Sequence, residues 1–140
     1  MPSDPPTDQP AKIRILIADD EPNIRLLYRN ELEEDGYEVI LAEDGHQAIR
    51  QIERERPDLV VLDIRMPGLD GVETLARILD MHRTLPVILN TAYSGYEENF
   101  MTWPADAYVV KSGDVSLLKA KIREVLARRA GDAGRPEGQE

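Results

Sequence analysis

Side chains that can bind a cation or a phosphate follow four short apolar runs of the sequence. In chain order they are Asp19, Asp20 and Glu21 after the first run, Asp63 after the second, Thr91 at the end of the third and Lys111 after the fourth. If these runs are parallel strands, their carboxyl ends meet at one edge of a sheet, where open α/β sheets bind ligands. The sequence therefore predicts one site built from four separate segments.

The gathered carboxylates predict a metal ion. Carboxylates at one place repel one another and lose hydration unless a positive charge lies among them, and a hard cation such as Mg²⁺ or Mn²⁺ is the simplest compensation. Mg²⁺ usually takes one or two carboxylates with waters and phosphate oxygens. We therefore expect Asp20 and Asp63 to bind the ion directly, Asp19 to bind it through water, and Lys111 to add a point charge for phosphate.

The reaction that suits this set is in-line attack by a carboxylate on a phosphoryl donor, with a hydroxyl donating one hydrogen bond. The chain has no cysteine, and His46 and His82 have no acid or serine at a motif spacing, so we assign the histidines no role. Taken singly, each feature has a plainer explanation: an Asp-Asp pair often caps a helix, and a lone lysine is usually solvated surface. Their order at successive strand ends is the specific signal.

Short apolar runs alternate with segments whose apolar residues recur every three or four positions, which indicates βαβ units and a parallel sheet. The predicted strands are residues 13–18, 37–42, 58–62, 87–91 and 107–110. The apolar spacing predicts helices around residues 24–32, 48–52, 72–79 and 115–126. Their predicted ends are marked by Pro22, Gly36, Pro57, Gly71 and the N-cap candidate Asp114.

A further helix, the fourth in chain order, is predicted over residues 94–101 from an aromatic stripe. The stripe consists of Tyr93, Tyr96, Phe100 and Trp103, at helical spacings. We expect it mainly to pack on the sheet, with a partner-binding face as the alternative. The prediction is thus an α/β fold in which five helices flank a doubly wound, five-stranded parallel sheet.

Length and charge limit the function. The chain of 140 residues suits one folded domain, predicted over residues 12–130, with disordered tails at 1–11 and 131–140 that are rich in proline or glycine. A net charge of -10 disfavours direct binding to nucleic acid or an anionic membrane. No secretion signal or apolar run of membrane-spanning length is evident, so we expect a cytoplasmic protein.

Four segments, ILIADDE, DLVVLDIRMPGLDG, VILNTA and DAYVVKS, resemble the signature segments of response-regulator receiver domains of two-component signalling. The resemblance spans residues 12–130 and implies the flavodoxin-like strand order 2-1-3-4-5. Carried over by motif, it implies Asp19 and Asp20 as the acidic pair, Asp63 as phosphoacceptor and Lys111 as the phosphate-binding lysine. It further implies Thr91 as the switch hydroxyl and Tyr108 as the switch aromatic.

Two more positions take roles from the resemblance. The backbone carbonyl of Arg65 would complete the metal shell, and the side chains of Arg65 and Tyr93 would tune the hydrolysis of the aspartyl phosphate. The chain departs from the family pattern after Lys111, where Ser112 replaces the common proline that follows a cis peptide bond. A second departure is the short aromatic fourth helix.

The resemblance implies a stand-alone receiver that takes a phosphoryl group from a histidine kinase and slowly hydrolyses it. It would signal to a protein target through the fourth helix, fifth strand and fifth helix. One alternative is a relay that passes the phosphoryl group to a histidine phosphotransfer protein. Another is a pseudo-receiver that binds partners without phosphorylation. A phosphohydrolase is disfavoured because Arg65 stands where such enzymes need a second carboxylate.

Overall fold

The computed structural model describes residues 12–63, 71–91, 106–111 and 114–133. Its strands are β1 (Arg14–Ala18), β2 (Glu38–Ala42), β3 (Leu59–Leu62), β4 (Val87–Thr91) and β5 (Ala107–Val110). All neighbouring strands pair in parallel, in the order β2-β1-β3-β4-β5. The predicted five-stranded parallel sheet and its strand order are therefore confirmed.

The described residues contain four helices: α1 (Pro22–Glu34), α2 (Gly45–Glu55), α3 (Gly71–Met81) and a C-terminal helix (Ser116–Ala133). The helix predicted over residues 94–101 lies outside the described residues, as do residues 1–11 and 134–140 of the two predicted tails. The C-terminal helix continues three residues past the domain boundary that composition suggested at residue 130.

Three strands begin one residue later than predicted, and a side chain explains the start of β3. The carboxylate of Asp58 accepts a hydrogen bond from the Arg14 amide at 2.8 Å, so that amide does not pair with a strand carbonyl. In the other direction, the Asp58 amide donates to the Arg14 carbonyl at 2.7 Å. The regular ladder between β1 and β3 therefore starts at Ile15 and Leu59.

Helices cover both faces of the sheet, and side chains alternate between the two faces along each strand. Ile15 and Ile17 of β1 belong to the core formed with α1 and the C-terminal helix, whereas Leu16 and Ala18 belong to the core formed with α2 and α3. The helical residues buried in the first core are Tyr28, Leu32, Leu118, Ile122 and Val125. All five lie within the helices that the apolar spacing predicted around residues 24–32 and 115–126.

Local signals set the helix ends that position the carboxyl edge of the sheet. Pro22 is the first residue of α1, where a missing amide hydrogen costs nothing. Gly36 follows that helix with φ of 95°, a left-handed conformation that glycine adopts without strain. Asp44 caps α2, because its Oδ1 accepts a hydrogen bond from the Gln47 amide at 2.7 Å. Helices α1 and α2 thus start within four residues of the ends of β1 and β2.

Candidate functional site

Asp19 and Asp63 stand at the carboxyl ends of adjacent strands. The Asp19 amide donates to the Ala42 carbonyl at 3.0 Å, and the Asp63 amide donates to the Ala18 carbonyl at 2.9 Å. Both residues therefore take part in the last hydrogen bonds of the parallel ladder. Their side chains are buried, with exposed fractions of 1% for Asp19 and 4% for Asp63.

Asp20 completes a group of three carboxylates with Asp19 and Asp63. Each of the three offers one oxygen, and these oxygens all lie within 4.8 Å of one another. Asp20 is exposed whereas the other two are buried. Carboxylate oxygens are the ligands that Mg²⁺ prefers in proteins, so the donor set fits this ion. The structure thus brings together the three acidic residues that the sequence suggested for a metal.

The ammonium group of Lys111 lies inside the same cluster, one residue beyond β5. Its Nζ is 2.8 Å from Asp19 Oδ2, 3.1 Å from Asp63 Oδ2 and 3.3 Å from Glu21 Oε1. The lysine side chain is only 10% exposed, whereas that of Glu21 is 61% exposed. The two buried carboxylates are therefore the stronger partners of Lys111, because water screens the contact with Glu21.

Burial and charge together shift the protonation of this cluster. Burial raises the pKa of the Asp19 carboxyl, and the hydrogen bond with Lys111 only partly offsets this effect. Burial alone would lower the pKa of Lys111, but the hydrogen bond with Asp19 and the charges of Asp19 and Asp63 outweigh it and raise the pKa. The lysine is therefore positively charged within the cluster.

Two contacts orient the loop that carries the acidic pair, and the sequence had not suggested either. Arg25 of α1 donates through Nη1 to the Asp19 carbonyl at 2.6 Å. The Glu21 amide donates to Asp19 Oδ1 at 3.0 Å, whereas Lys111 contacts the other oxygen, Oδ2. Arg25 lies one turn into the helix that follows the acidic residues. That position was the available sequence signal for the contact, but it did not identify the Asp19 carbonyl as the acceptor.

The remaining predicted site residues are described in part or not at all. Thr91 ends β4 and pairs with Val110, and Tyr108 pairs with Leu89, but the structure describes only the backbone of Thr91 and Tyr108. Arg65, Tyr93 and Ser112 lie outside the described residues. The two histidines take no part in the acidic cluster; His82 lies 3.4 Å from Glu53 instead.

A cavity of about 590 Å³ lies at the opposite edge of the sheet. Residues from the end of α2, the end of α3 and the starts of β3 and β4 line it, among them Ile52, Pro57, Met81 and Pro86. The lengths of β3 and β4 separate it from the carboxylates, so it is not part of the acidic site.

The family model for the response regulator receiver domain matches residues 15–123, which include Asp19, Asp20, Asp63 and Lys111. This chain belongs to the response regulator receiver domain family. Receiver domains bind Mg²⁺ at an acidic pocket, and the three carboxylates form such a pocket in this one.

Two curated relatives agree with this assignment. The alkaline phosphatase synthesis transcriptional regulatory protein PhoP of Bacillus subtilis is 35% identical over 120 residues, which cover 82% of this chain and 49% of PhoP. The probable transcriptional regulator ycf27 of Porphyridium aerugineum is 40% identical over 119 residues, covering 84% of this chain and 49% of ycf27. The receiver domain therefore spans about half the length of the curated relatives it matches.

Solved structures show the same fold. The response regulator TrrA of Thermotoga maritima, crystallised with Mg²⁺ and BeF, is 45% identical with a TM-score of 0.76, over 81% of this chain and 98% of that one. A complex of TrrA with the histidine kinase ThkA matches at 46% identity and a TM-score of 0.76, over 81% of this chain and 98% of that one. A CheY-like receiver domain from Methanospirillum hungatei has a TM-score of 0.81 at 31% identity, covering 87% and 99% of the two chains.

No helix in the described part of the receiver domain has an apolar stretch long enough to span a membrane.

Replacing Lys111 by methionine should tighten Mg²⁺ binding, because the ammonium and the metal compete for the carboxylates of Asp19 and Asp63. Removing one unit charge about 4 Å away is worth about 1 kcal/mol even at the dielectric of water, which corresponds to roughly fivefold in affinity. Isothermal titration calorimetry of parent and variant measures the difference.

Lys119→Met is the matched control for this measurement. Lys119 pairs at 3.0 Å with Glu31 of α1 and at 3.5 Å with Asp35, the residue after that helix. Both contacts lie away from the acidic cluster, so the loss of Lys119 should leave Mg²⁺ affinity unchanged. A folded Lys111→Met protein that binds Mg²⁺ no better than the parent contradicts the competition.

Proposed function

We propose that this receiver domain accepts a phosphoryl group on Asp63 from a histidine kinase and signals the change to a protein partner. The observation that supports this best is the Lys111 ammonium 3.1 Å from Asp63 Oδ2, in a cluster with Asp19 and Asp20. The relative TrrA, solved both with Mg²⁺ and BeF and with the kinase ThkA, supports the same function by similarity.

Asp19 is better suited to bind a metal than to act as the nucleophile. Both oxygens of Asp19 are held, Oδ1 by the Glu21 amide and Oδ2 by Lys111. A carboxylate fixed on two sides suits a ligand role, because attack on phosphorus requires one oxygen to move toward the donor. We therefore assign Asp19 and Asp20 to metal binding, together with Asp63 and the backbone carbonyl of Arg65.

The proposed reaction forms one bond and breaks one. An oxygen of the Asp63 carboxylate attacks phosphorus, and the bond from phosphorus to the donor atom breaks on the opposite side. From a phosphohistidine, the imidazole nitrogen leaves with the bonding electrons and takes up a proton from solvent. From acetyl phosphate, acetate leaves. The product in either case is an acyl phosphate on Asp63.

Positive charge must balance the phosphoryl oxygens as they enter an acidic cluster. Bound Mg²⁺, or Mn²⁺ in the same oxygen ligands, would neutralise part of that charge. The Lys111 ammonium already lies against Asp63. It would therefore shift its contact from the carboxylates to a phosphoryl oxygen. The hydroxyl of Thr91, at the end of the neighbouring strand, would donate one hydrogen bond.

Signalling is proposed to run from Thr91 to Tyr108. The new negative charge would draw the Thr91 hydroxyl inward and open space for the Tyr108 ring. The β4–β5 ladder pairs Tyr108 with Leu89, two residues before Thr91, and this backbone register supports the coupling. The proposed output surface consists of the fourth helix, β5 and the C-terminal helix.

Phosphorylation at Asp63 is tested with acetyl phosphate and Mg²⁺, followed by intact mass. The parent protein should gain the mass of one phosphoryl group, and Asp63→Asn should gain none, because an amide oxygen is a poor nucleophile. Asp80→Asn, which changes an exposed carboxylate on α3, should be phosphorylated like the parent. Labelling of Asp63→Asn at the parent's level would place the phosphoryl group elsewhere.

The switch is tested by NMR of the Tyr108 ring in the presence of beryllofluoride and Mg²⁺. The ring signals should shift in the parent and stay in place in Thr91→Ala, because the hydroxyl that couples the two residues is missing. Unchanged Tyr108 signals in a parent protein that binds beryllofluoride would rule out the coupling.

Arg65 and Tyr93 are proposed to slow hydrolysis of the acyl phosphate by restricting the access of water. After removal of the donor, Arg65→Ala and Tyr93→Ala should lose their phosphoryl group several-fold faster than the parent, as followed by intact mass. Arg77→Ala, which breaks an exposed pair with Glu73 at 3.3 Å, is the control and should decay like the parent. Equal or slower decay in both site variants would refute the assignment.

A further inference from the structure

A buried hydrogen bond joins α1 to β4 just below the acidic cluster. Asn90 Nδ2 donates to the Tyr28 hydroxyl at 2.9 Å, between residues 62 positions apart in the sequence. The exposed fractions are 2% for Tyr28 and 1% for Asn90. Tyr28 otherwise packs in the apolar core that includes Ile88, two residues before Asn90 on the same strand.

Stability alone does not explain this polar pair. A typical hydrogen bond contributes about 0.5–1.5 kcal/mol net, whereas an aliphatic pair would fill the same space with no polar group to satisfy. Asparagine is also disfavoured in strands. In addition, the Oδ1 atom of Asn90 is buried and accepts no hydrogen bond from the described residues. Departures of this kind from local rules tend to lie at functional positions.

The pair lies at the level of the proposed phosphoacceptor. The register of β3 and β4 pairs Leu62 with Leu89, so Asp63 and Asn90 are the next residues along the two adjacent strands. Burial raises the pKa of the Tyr28 hydroxyl, and the charges of Lys111, Asp19 and Asp63 also act on it. The phenol is therefore within electrostatic reach of the acidic cluster.

The hydrogen bond also connects the two segments that flank β3. α1 starts directly after the acidic loop of residues 19–21, and Tyr28 lies about two turns into that helix. β3 lies between β1 and β4 in the sheet, so Tyr28 reaches past the strand that carries Asp63 to contact Asn90. A continuous connection around β3 therefore runs from the acidic loop through α1 and the Tyr28–Asn90 hydrogen bond to β4.

We propose that the Tyr28–Asn90 hydrogen bond is a positioning element for phosphoryl transfer, which fixes the carboxyl end of β4 and the adjacent Thr91 relative to the acidic loop. The inference rests on the proposed roles of Asp63 and Thr91. Tyr28 and Asn90 do not contact the phosphoryl group; they hold the groups that do. Loss of the hydrogen bond leaves the fold intact and loosens the position of Thr91.

The test removes only the hydroxyl, with Tyr28→Phe. At saturating Mg²⁺, phosphorylation of this variant by acetyl phosphate should be roughly three- to tenfold slower than in the parent, the equivalent of one hydrogen bond. Tyr37→Phe is the matched control, because Tyr37 packs partly buried on the same core near the start of β2, away from the carboxyl edge. Its rate should equal that of the parent.

A double variant separates positioning from stability. Tyr28→Phe with Asn90→Leu replaces both polar partners by apolar groups, which should restore the free energy of unfolding in urea toward the parent value. The phosphorylation rate should stay low, because the connection to the acidic loop is still missing. Recovery of both quantities in the double variant would mean that the pair is only structural, and would overturn the proposal.

An NMR measurement on the parent gives an independent readout. The side-chain amide signals of Asn90 should shift when beryllofluoride and Mg²⁺ are added, and unchanged signals would overturn the proposal. So would a folded Tyr28→Phe that is phosphorylated at the parent rate. If the parent itself takes no phosphoryl group, the proposed function of Asp63 has failed. Equal phosphorylation rates in the parent and Tyr28→Phe are a different result, which contradicts only the positioning role.

Discussion

Charge compensation by one ammonium group determines the arrangement of the carboxyl edge of the sheet. Lys111 lies within 3.3 Å of oxygens from Asp19, Asp63 and Glu21, and the first two of these carboxylates are buried. Buried ion pairs seldom add net stability compared with apolar residues of similar size, because desolvation offsets their attraction. Chemistry at this edge is therefore a better reason for the cluster than stability.

The parallel sheet is what allows such a cluster to form from distant residues. Every strand ends at the same edge, and the order β2-β1-β3-β4-β5 puts β1 and β3 side by side. Asp19 and Asp63 consequently meet although an entire βαβ unit separates them in the sequence. Lys111 reaches them from β5, which stands two places from β3, and the length of the lysine side chain covers that distance.

Much of this architecture followed from the sequence, because each inference rested on a local pattern. The apolar runs predicted all five strands. The acidic residues and the lysine that follow those runs predicted the cluster of carboxylates around Lys111. The start of β3 was misplaced by one residue because the Asp58 side chain takes the place of a strand partner. A prediction from apolar periodicity uses only whether each residue is apolar. It therefore cannot anticipate that a side-chain carboxylate replaces a strand carbonyl as the hydrogen-bond acceptor.

Contacts between distant polar side chains were beyond the sequence. Tyr28 fitted the apolar stripe of α1 through its ring, and nothing near it in the chain pointed to Asn90 as the partner of its hydroxyl. Asn90 was itself a signal, as one amide within an apolar strand, but its partner depends on how far α1 reaches across the sheet. The contact of Arg25 with the Asp19 carbonyl required the same three-dimensional knowledge.

The amides of Asp19 and Asp63 are tied into the ladder, and the Asp19 carboxylate is held further by the Glu21 amide. These two carboxylates are therefore ordered before any ion arrives, and binding an ion would require little loss of conformational entropy. Mg²⁺ releases its own hydration water reluctantly. Filling of this pocket would then require dehydration of the incoming ion and displacement of the Lys111 ammonium, but no rearrangement of the backbone that carries Asp19 and Asp63.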